Sequence, residues 1–330
     1  MKIPSRIISD LSVFILFCSC AIGIQGCNQK AANLEKVALL DKKLNELEAK
    51  SDNQFFSAHF KSIRQVINEE QSISKEEANL LDKMYDVFLN DSLTNPSDFS
   101  SYLERKRSLI LAWTSPTDGT VSLSWLKLPK NWDPKKTYPL YVELHGYWDV
   151  ASKPISFLSH TFIKRPSTTA AFEDGYLLSP WGRGNKRYHG ISKIDVWESI
   201  AELEKMTKIN PERKYLLGHS MGGYGTWHIA QESDSVWAAI GILSGSLFYE
   251  KSKYITPEYA NKLKNTPTYF AWGNKEDQVM TESNKKAHNL LRDVGNQNTV
   301  TAVFDGGHDY DEVNVEKMYN WLRTFKKTIE

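Results

Sequence analysis

Tyr215-Leu216-Leu217-Gly218-His219-Ser220-Met221-Gly222-Gly223-Tyr224-Gly225 is an apolar run that breaks into G-x-S-x-G and continues into helix-forming sequence. That order predicts a strand, a tight turn carrying Ser220, and a helix. Gly218 and Gly222 flank the serine where a side chain would collide within so sharp a turn. The turn lifts the Ser220 hydroxyl to the end of a sheet, and the helix N-terminus beyond it favours negative charge developing there. An ordinary Gly-rich surface turn carries the same motif, so its meaning rests on the surrounding chain.

On either side of this turn, strand-like and helix-like stretches alternate. Residues 108–115 and 121–128 flank Thr117-Asp118-Gly119-Thr120, a hairpin signal. Residues 138–144 form an apolar run ending in His145-Gly146, and 175–180 another ending in Trp181-Gly182-Arg183-Gly184. A helical stretch at 193–206 precedes the elbow strand. Residues 237–243, 267–272 and 299–304 read as further strands, with helices near 256–265, 281–293 and 311–327. This alternation predicts a mostly parallel, doubly wound α/β sheet with helices on both faces. In such sheets sites collect at the carboxyl ends of the strands. His145-Gly146, Ser220, the segment after Trp272 and the segment after Phe304 all fall there.

A serine attacks poorly unless a base takes its proton and a third group orients that base. His308, in Phe304-Asp305-Gly306-Gly307-His308-Asp309, follows the last strand in a Gly-rich loop and is the histidine suited to be the base. Glu276 and Asp277, in Gly273-Asn274-Lys275-Glu276-Asp277-Gln278-Val279, are both carboxylates in the loop expected to carry the orienting acid. Oxyanion donors are expected at the backbone N–H groups of Met221, the residue after the nucleophile, and Tyr147, in the loop after His145-Gly146. His145 itself is expected to be structural. Trp181, Arg183, Tyr188 and Tyr224 lie on segments next to this site and are candidates for substrate binding. The rival expectation for Arg183 is a brace on its loop through Asp195.

The runs Pro180-Trp181-Gly182-Arg183-Gly184, Asp195-Val196 and Asn210-Pro211-Glu212-Arg213-Lys214-Tyr215 through Trp227 resemble bacterial α/β-hydrolases. They are similar both to the catalytic domain of the prolyl oligopeptidase family and to single-domain esterases related to polyhydroxybutyrate depolymerases and feruloyl esterases. The Leu144-His145-Gly146 and Gly307-His308 motifs match as well, and the likeness covers residues 108–328. It implies an α/β-hydrolase fold and a Ser-acid-His triad. Prolyl oligopeptidase-type domains carry G-x-x-D-D-x-V where this chain has Gly273 to Val279, with the first acid catalytic. That register puts Glu276 at the catalytic position, and a one-residue shift of the loop restores Asp277.

The remaining composition sets bounds. A chain of 330 residues suits a hydrolase body at 107–330 with a smaller appendage at 27–106. A body of about 220 residues buries roughly 70% of its unfolded surface, so a core needs no disulfides. Net charge is +1, which suggests no nucleic-acid partner. No cofactor and no metal are expected. All three cysteines, Cys18, Cys20 and Cys27, precede residue 28. Lys2 and Arg6 followed by an apolar run from Leu11 to Ile24 read as an export signal over 1–26. Ile24-Gln25-Gly26-Cys27 resembles a bacterial lipobox, which would make Cys27 a lipidation site and the lipid anchor the one membrane contact. The expected location is a membrane-anchored lipoprotein, or the periplasm or exterior. Within 34–106, Leu34, Val37, Leu40, Leu44 and Leu47 recur at helical spacing. So do Phe56, Phe60, Ile63 and Ile67, and a capping box at Ser74 and Glu77 opens a third helix. This helical prefix is expected to be a packing appendage, with a lid over the site as the sharper reading.

The leading expectation is a serine hydrolase acting on esters, with carbohydrate-linked esters suggested by analogy alone. The alternatives are a prolyl oligopeptidase-like peptidase, weakened by the lack of a β-propeller before the domain, and a non-catalytic surface lipoprotein on the same scaffold.

Overall fold

A computed structural model describes residues 35, 37–50, 54–69, 77–79, 83, 107–148, 152–158, 172–309 and 312–328. The export signal, Cys27 and most of the third prefix helix lie outside these residues.

Eight strands form one sheet: β1 (Ser108–Thr114), β2 (Val121–Lys127), β3 (Tyr138–Leu144), β4 (Tyr176–Pro180), β5 (Ile209–His219), β6 (Ala239–Leu243), β7 (Thr268–Gly273) and β8 (Thr299–Phe304). Their spatial order is β1-β2-β4-β3-β5-β6-β7-β8. β1 and β2 form the expected antiparallel hairpin, and β2 also runs antiparallel to β4. From β4 onward every pairing is parallel. β4, β6 and β7 are buried at every position, as strands covered on both faces must be. The chain reverses its direction of travel across the sheet at β3 and β5, and the elbow stands at the carboxyl end of β5.

The prefix contributes α1 over 37–49 and α2 (Gln54–Glu69). α2 buries Phe55, Phe56, Phe60, Ile63, Val66 and Ile67 in the same core as the sheet, together with Leu40, Leu44 and Leu47 of α1. It lies along β1, the edge strand. There His59 Nδ1 accepts from Ile110 N–H at 2.8 Å, and Ser62 Oγ accepts from Ala112 N–H at 2.8 Å. Two outward N–H groups of an edge strand are thus paired by side chains instead of by another strand. Since β1 stands four strands from β5, these described helices cap the sheet's edge and do not cover the elbow.

The other helices are α3 (Ile191–Glu204), α4 (Met221–Glu232), α5 (Tyr249–Ser252), α6 (Pro257–Lys262), α7 (Gln278–Asp293) and α8 (Glu312–Leu322). α5 has no counterpart in the periodicity, being a single turn. α7 begins three residues before the expected start because Asp277 caps it.

Candidate active site

At the end of β5 the backbone of Ser220 takes φ 56° and ψ −117°, a conformation that costs a non-glycine residue of order 1–3 kcal/mol. The turn is held by Ser220 N–H donating to Leu243 O at 3.0 Å and Ser246 N–H donating to Ser220 O at 3.0 Å. A Cβ on Gly222 would lie 1.9 Å from Leu144 O, and one on Gly218 would lie 2.3 Å from Gly222 O. Glycine is therefore required at both positions by backbone contact.

His308 and Glu276 arrive on two loops that are bonded to each other. Asn274 N–H donates to Phe304 O and Lys275 N–H to Gly306 O, each at 2.8 Å. Gly306 N–H donates to Asn274 Oδ1 at 3.2 Å. From this platform His308 Nε2 sits 2.7 Å from Ser220 Oγ, and His308 Nδ1 sits 2.9 Å from Glu276 Oε2. The Glu276 side chain is 2% exposed and that of His308 39%, so the carboxylate is sequestered while the imidazole faces open space. Asp277 points elsewhere. Its Oδ1 accepts from Val279 N–H at 2.9 Å and Met280 N–H at 3.2 Å, the N-cap of α7.

Gly146 runs directly over Ser220, since a Cβ there would lie 3.4 Å from Ser220 Cβ. Tyr147 follows with its side chain exposed, and Met221 opens α4 with its side chain buried. The backbone N–H groups of both therefore belong to segments that flank Ser220. His145 is buried, with Nε2 2.8 Å from Trp181 O and Nδ1 2.6 Å from Gly146 O, and its ring stacks on Trp148 at 5.1 Å.

The four candidates for substrate binding lie in the interior. Trp181, Arg183, Tyr188 and Tyr224 are all buried. Tyr188 O–H donates to His145 O at 3.0 Å, while its ring is pressed so close to Gly225 that a Cβ there would come within 2.5 Å. Arg183 forms a buried ion pair with Asp195, Nε to Oδ1 at 3.0 Å, and reaches Asp118 at 3.2 Å. Asp195 also accepts from Gly182 N–H at 2.8 Å and from Ser122 O–H. Burial holds its carboxyl up at about 6 against the pull of these partners. Tyr224 O–H sits 3.0 Å from His189 Nε2. The polar atoms of Arg183, Tyr188 and Tyr224 are thus engaged within the protein.

Two further residues that the sequence does not mark as functional stand beside Ser220 and His308. His219 is buried with its ring centroid 4.8 Å from that of His308. Burial first, and the neighbouring His308 second, push it down to about 3, so it is neutral at ordinary pH. Ser246 Oγ lies 3.4 Å from Ser220 Oγ. Ser246 is 26 residues away along the chain, and no motif links the two. The signal that could have found it is its place just past the carboxyl end of β6. Among the described residues no group of three or more His, Cys, Asp or Glu is arranged to hold a metal ion. No described helix is long and apolar enough to cross a membrane.

No family model matches the chain. It is 26% identical over 159 residues to dipeptidyl-peptidase 5 of Porphyromonas gingivalis, covering 44% of this chain and 22% of that protein. It is 25% identical over 134 residues to lysophospholipase-like protein 1 of Mus musculus, covering 40% of this chain and 55% of that one. The chain thus spans well under two thirds of either curated relative. Among solved structures it is similar to a thermostable esterase, with a TM-score of 0.51 and 20% identity, covering 67% of this chain and 63% of that one. A ferulic acid esterase gives a TM-score of 0.51 and 17% identity, covering 66% and 98%. With the strand order above, these likenesses establish the α/β-hydrolase fold.

Proposed function

We propose that this chain is a serine hydrolase that cleaves carboxylic esters through an acyl-enzyme. The observation that carries the reading is the hydrogen-bond chain from Ser220 Oγ through His308 to Glu276 at 2.7 and 2.9 Å. In this reading the Ser220 hydroxyl gives its proton to His308 Nε2 as Oγ bonds to the ester carbonyl carbon. Glu276 accepts the Nδ1–H of His308, fixing the tautomer and stabilising the imidazolium. Met221 and Tyr147 N–H groups hold the oxyanion, each such donor being typically worth about 3 kcal/mol in the transition state. The imidazolium then protonates the departing alcohol, and water repeats the sequence to release the acid.

The substrate class proposed is an ester attached to carbohydrate, such as an acetyl or feruloyl group. Support comes from the structural likeness to a ferulic acid esterase and from the export signal read at residues 1–26, since such polymers lie outside cells. A second reading, peptide cleavage, is favoured by the P. gingivalis relative, whose name is that of a dipeptidyl-peptidase.

The test pairs the purified protein with its Ser220→Ala variant. p-Nitrophenyl acetate turnover and fluorophosphonate labelling are recorded on the same samples. Both signals are expected in the parent and neither in the variant. Acetylated and feruloylated glycans are then compared with dipeptide amides, and faster cleavage of the amides would replace the ester reading. A folded parent that neither turns over nor labels would overturn the hydrolase reading altogether.

A further inference from the structure

The hydroxyl of Ser246 is buried, 1% exposed, in the turn Ser244-Gly245-Ser246 that follows β6. Among the described residues its hydrogen-bond partner is Ser220 Oγ, at 3.4 Å. The turn has been built to hold it there. Ser244 has φ 44°, off the ordinary path for a non-glycine residue. Asn284 of α7 donates from Nδ2 to Gly245 O at 2.6 Å and to Met280 O at 2.8 Å. Ser246 N–H donates to the carbonyl of Ser220 itself. Gly245 presses against the first turn of α4, where a Cβ on Gly223 would lie 2.7 Å from its Cα. Helix α7 thus clamps this turn at Asn284, while the loop just before its N-cap carries Glu276.

The proton positions follow from the partners. Glu276 is a carboxylate and accepts the Nδ1–H of His308, so Nε2 is the acceptor for the Ser220 hydroxyl. With its own proton spent, Ser220 Oγ has only lone pairs to offer Ser246. A buried hydroxyl is costly to leave unpaired, so Ser246 donates.

We propose that Ser246 is a catalytic hydrogen-bond donor to Ser220 Oγ whose effect falls on release of the acyl group. The proposal rests on the acyl-enzyme reading above. In the free enzyme Oγ is a hydroxyl oxygen and a good acceptor. In the acyl-enzyme it is the bridging oxygen of an ester, with its electrons drawn toward the carbonyl, and is a poor one. During deacylation water attacks the acyl carbon as His308 Nε2 takes the water proton. When the tetrahedral intermediate collapses, the bond from carbon to Oγ breaks, its electron pair returns to Oγ, and the Nε2 proton follows. The carboxylic acid leaves. The Ser246 hydroxyl meets Oγ as that electron pair arrives, so its bond strengthens from the acyl-enzyme to the transition state. An interaction that strengthens on the way to a transition state speeds that step. On acylation Oγ loses acceptor strength, so Ser246 gives that step no help.

The test measures the two half-reactions in the full chain and in Ser246→Ala with p-nitrophenyl acetate. Stopped-flow release of p-nitrophenolate gives acylation. Mass spectrometry after rapid removal of substrate follows decay of acetyl-Ser220. In Ser246→Ala, acylation is expected within about twofold of the parent, and decay about five- to tenfold slower, the worth of one hydrogen bond. At steady state kcat and KM then fall together while kcat/KM holds. Ser246→Cys, of similar shape and with a weak S–H donor, is expected to fall between, and it also serves if the alanine variant does not fold. Equal slowing of both steps would make Ser246 a packing residue, and unchanged decay would remove it from the reaction; either result overturns the proposal. A parent that shows no Ser220-dependent turnover overturns the hydrolase reading instead, and this proposal falls with it.

Discussion

At the scale of single residues, the acid loop separates two adjacent carboxylates by what each touches. Glu276 reaches His308 at 2.9 Å, whereas Asp277 caps α7. The two carry different expectations. Glu276→Gln keeps the shape but cannot hold the same tautomer of His308, so kcat is expected to drop by about 10³-fold or more. Its melting temperature should stay near the parent's. Asp277→Ala removes a helix cap and is expected to cost about 1 kcal/mol of stability with activity within a few-fold. Steady-state kinetics and denaturant unfolding on both variants check this pair. A large rate loss in Asp277→Ala beside a small one in Glu276→Gln would reverse the assignment. The same loop-level precision applies to Ser220, whose strained backbone persists because Gly218 and Gly222 let Gly222 O and Leu144 O approach so closely.

At the scale of elements, the segment from Trp181 to Gly190 gathers six left-handed residues, three of which, Arg183, Arg187 and Tyr188, are not glycine. Gly182, Arg183, Gly184, Arg187, Tyr188 and Gly190 all have φ between 54° and 78°. Such a segment keeps its shape only if its surroundings over-determine it. The ion pair of Arg183 with Asp195, at the start of α3, and the Tyr188 hydroxyl on His145 O do this. Arg183 then acts on stability. Arg183→Ala leaves Asp195 buried without its cation and is expected to cost about 3–5 kcal/mol. Unfolding in urea measures the loss, and KM for a small ester is the contrast. A raised KM with unchanged stability would return Arg183 to substrate binding. Helix α2 shows the same principle at the sheet's edge, where packing of Phe55 on Trp132 at 5.1 Å accompanies the pairing of Ile110 N–H with His59.

At the scale of the whole molecule, acid acts through histidines buried as neutral rings. Burial pushes His59, His219 and His228 down to about 3 from an ordinary value of 6.5. The unfolded chain binds protons at these sites below pH 6.5 and the folded chain does not until about pH 3. Stability therefore falls as pH drops through that window, by up to about 1.4 kcal/mol per pH unit for each ring. Asp195, held up at about 6, takes up its proton more readily when folded. It offsets about one ring's share between pH 6 and 4. Denaturant unfolding at pH 7, 6, 5 and 4 should show the net decline. His59→Asn keeps an acceptor for Ile110 N–H and removes one titrating ring. Its slope should be shallower than the parent's by up to about 1.4 kcal/mol per pH unit, and identical slopes would show that His59 is not held neutral.

The sequence by itself determined the alternating strands and helices, the hairpin at Thr117–Thr120 and the elbow at Ser220. Each of these is specified locally, by the period of apolar residues and by glycines in a tight turn. The expected fold class and its resemblance to α/β-hydrolases follow from the same signals, and the structure agrees in strand order and in its structural neighbours. Other features required distant segments to meet. Glu276 and Asp277 differ by one position, and only the bonds between their loop and the His308 loop place one carboxylate against the ring. For Arg183 the sequence offers both substrate binding and a brace on Asp195, and for Tyr188 substrate binding; only the packed structure shows both side chains buried, with Arg183 on Asp195 and the Tyr188 hydroxyl on His145 O. Ser246 has no motif at all. Its relation to Ser220 exists because parallel strands β5 and β6 end side by side, and that adjacency is a property of the sheet and not of the chain.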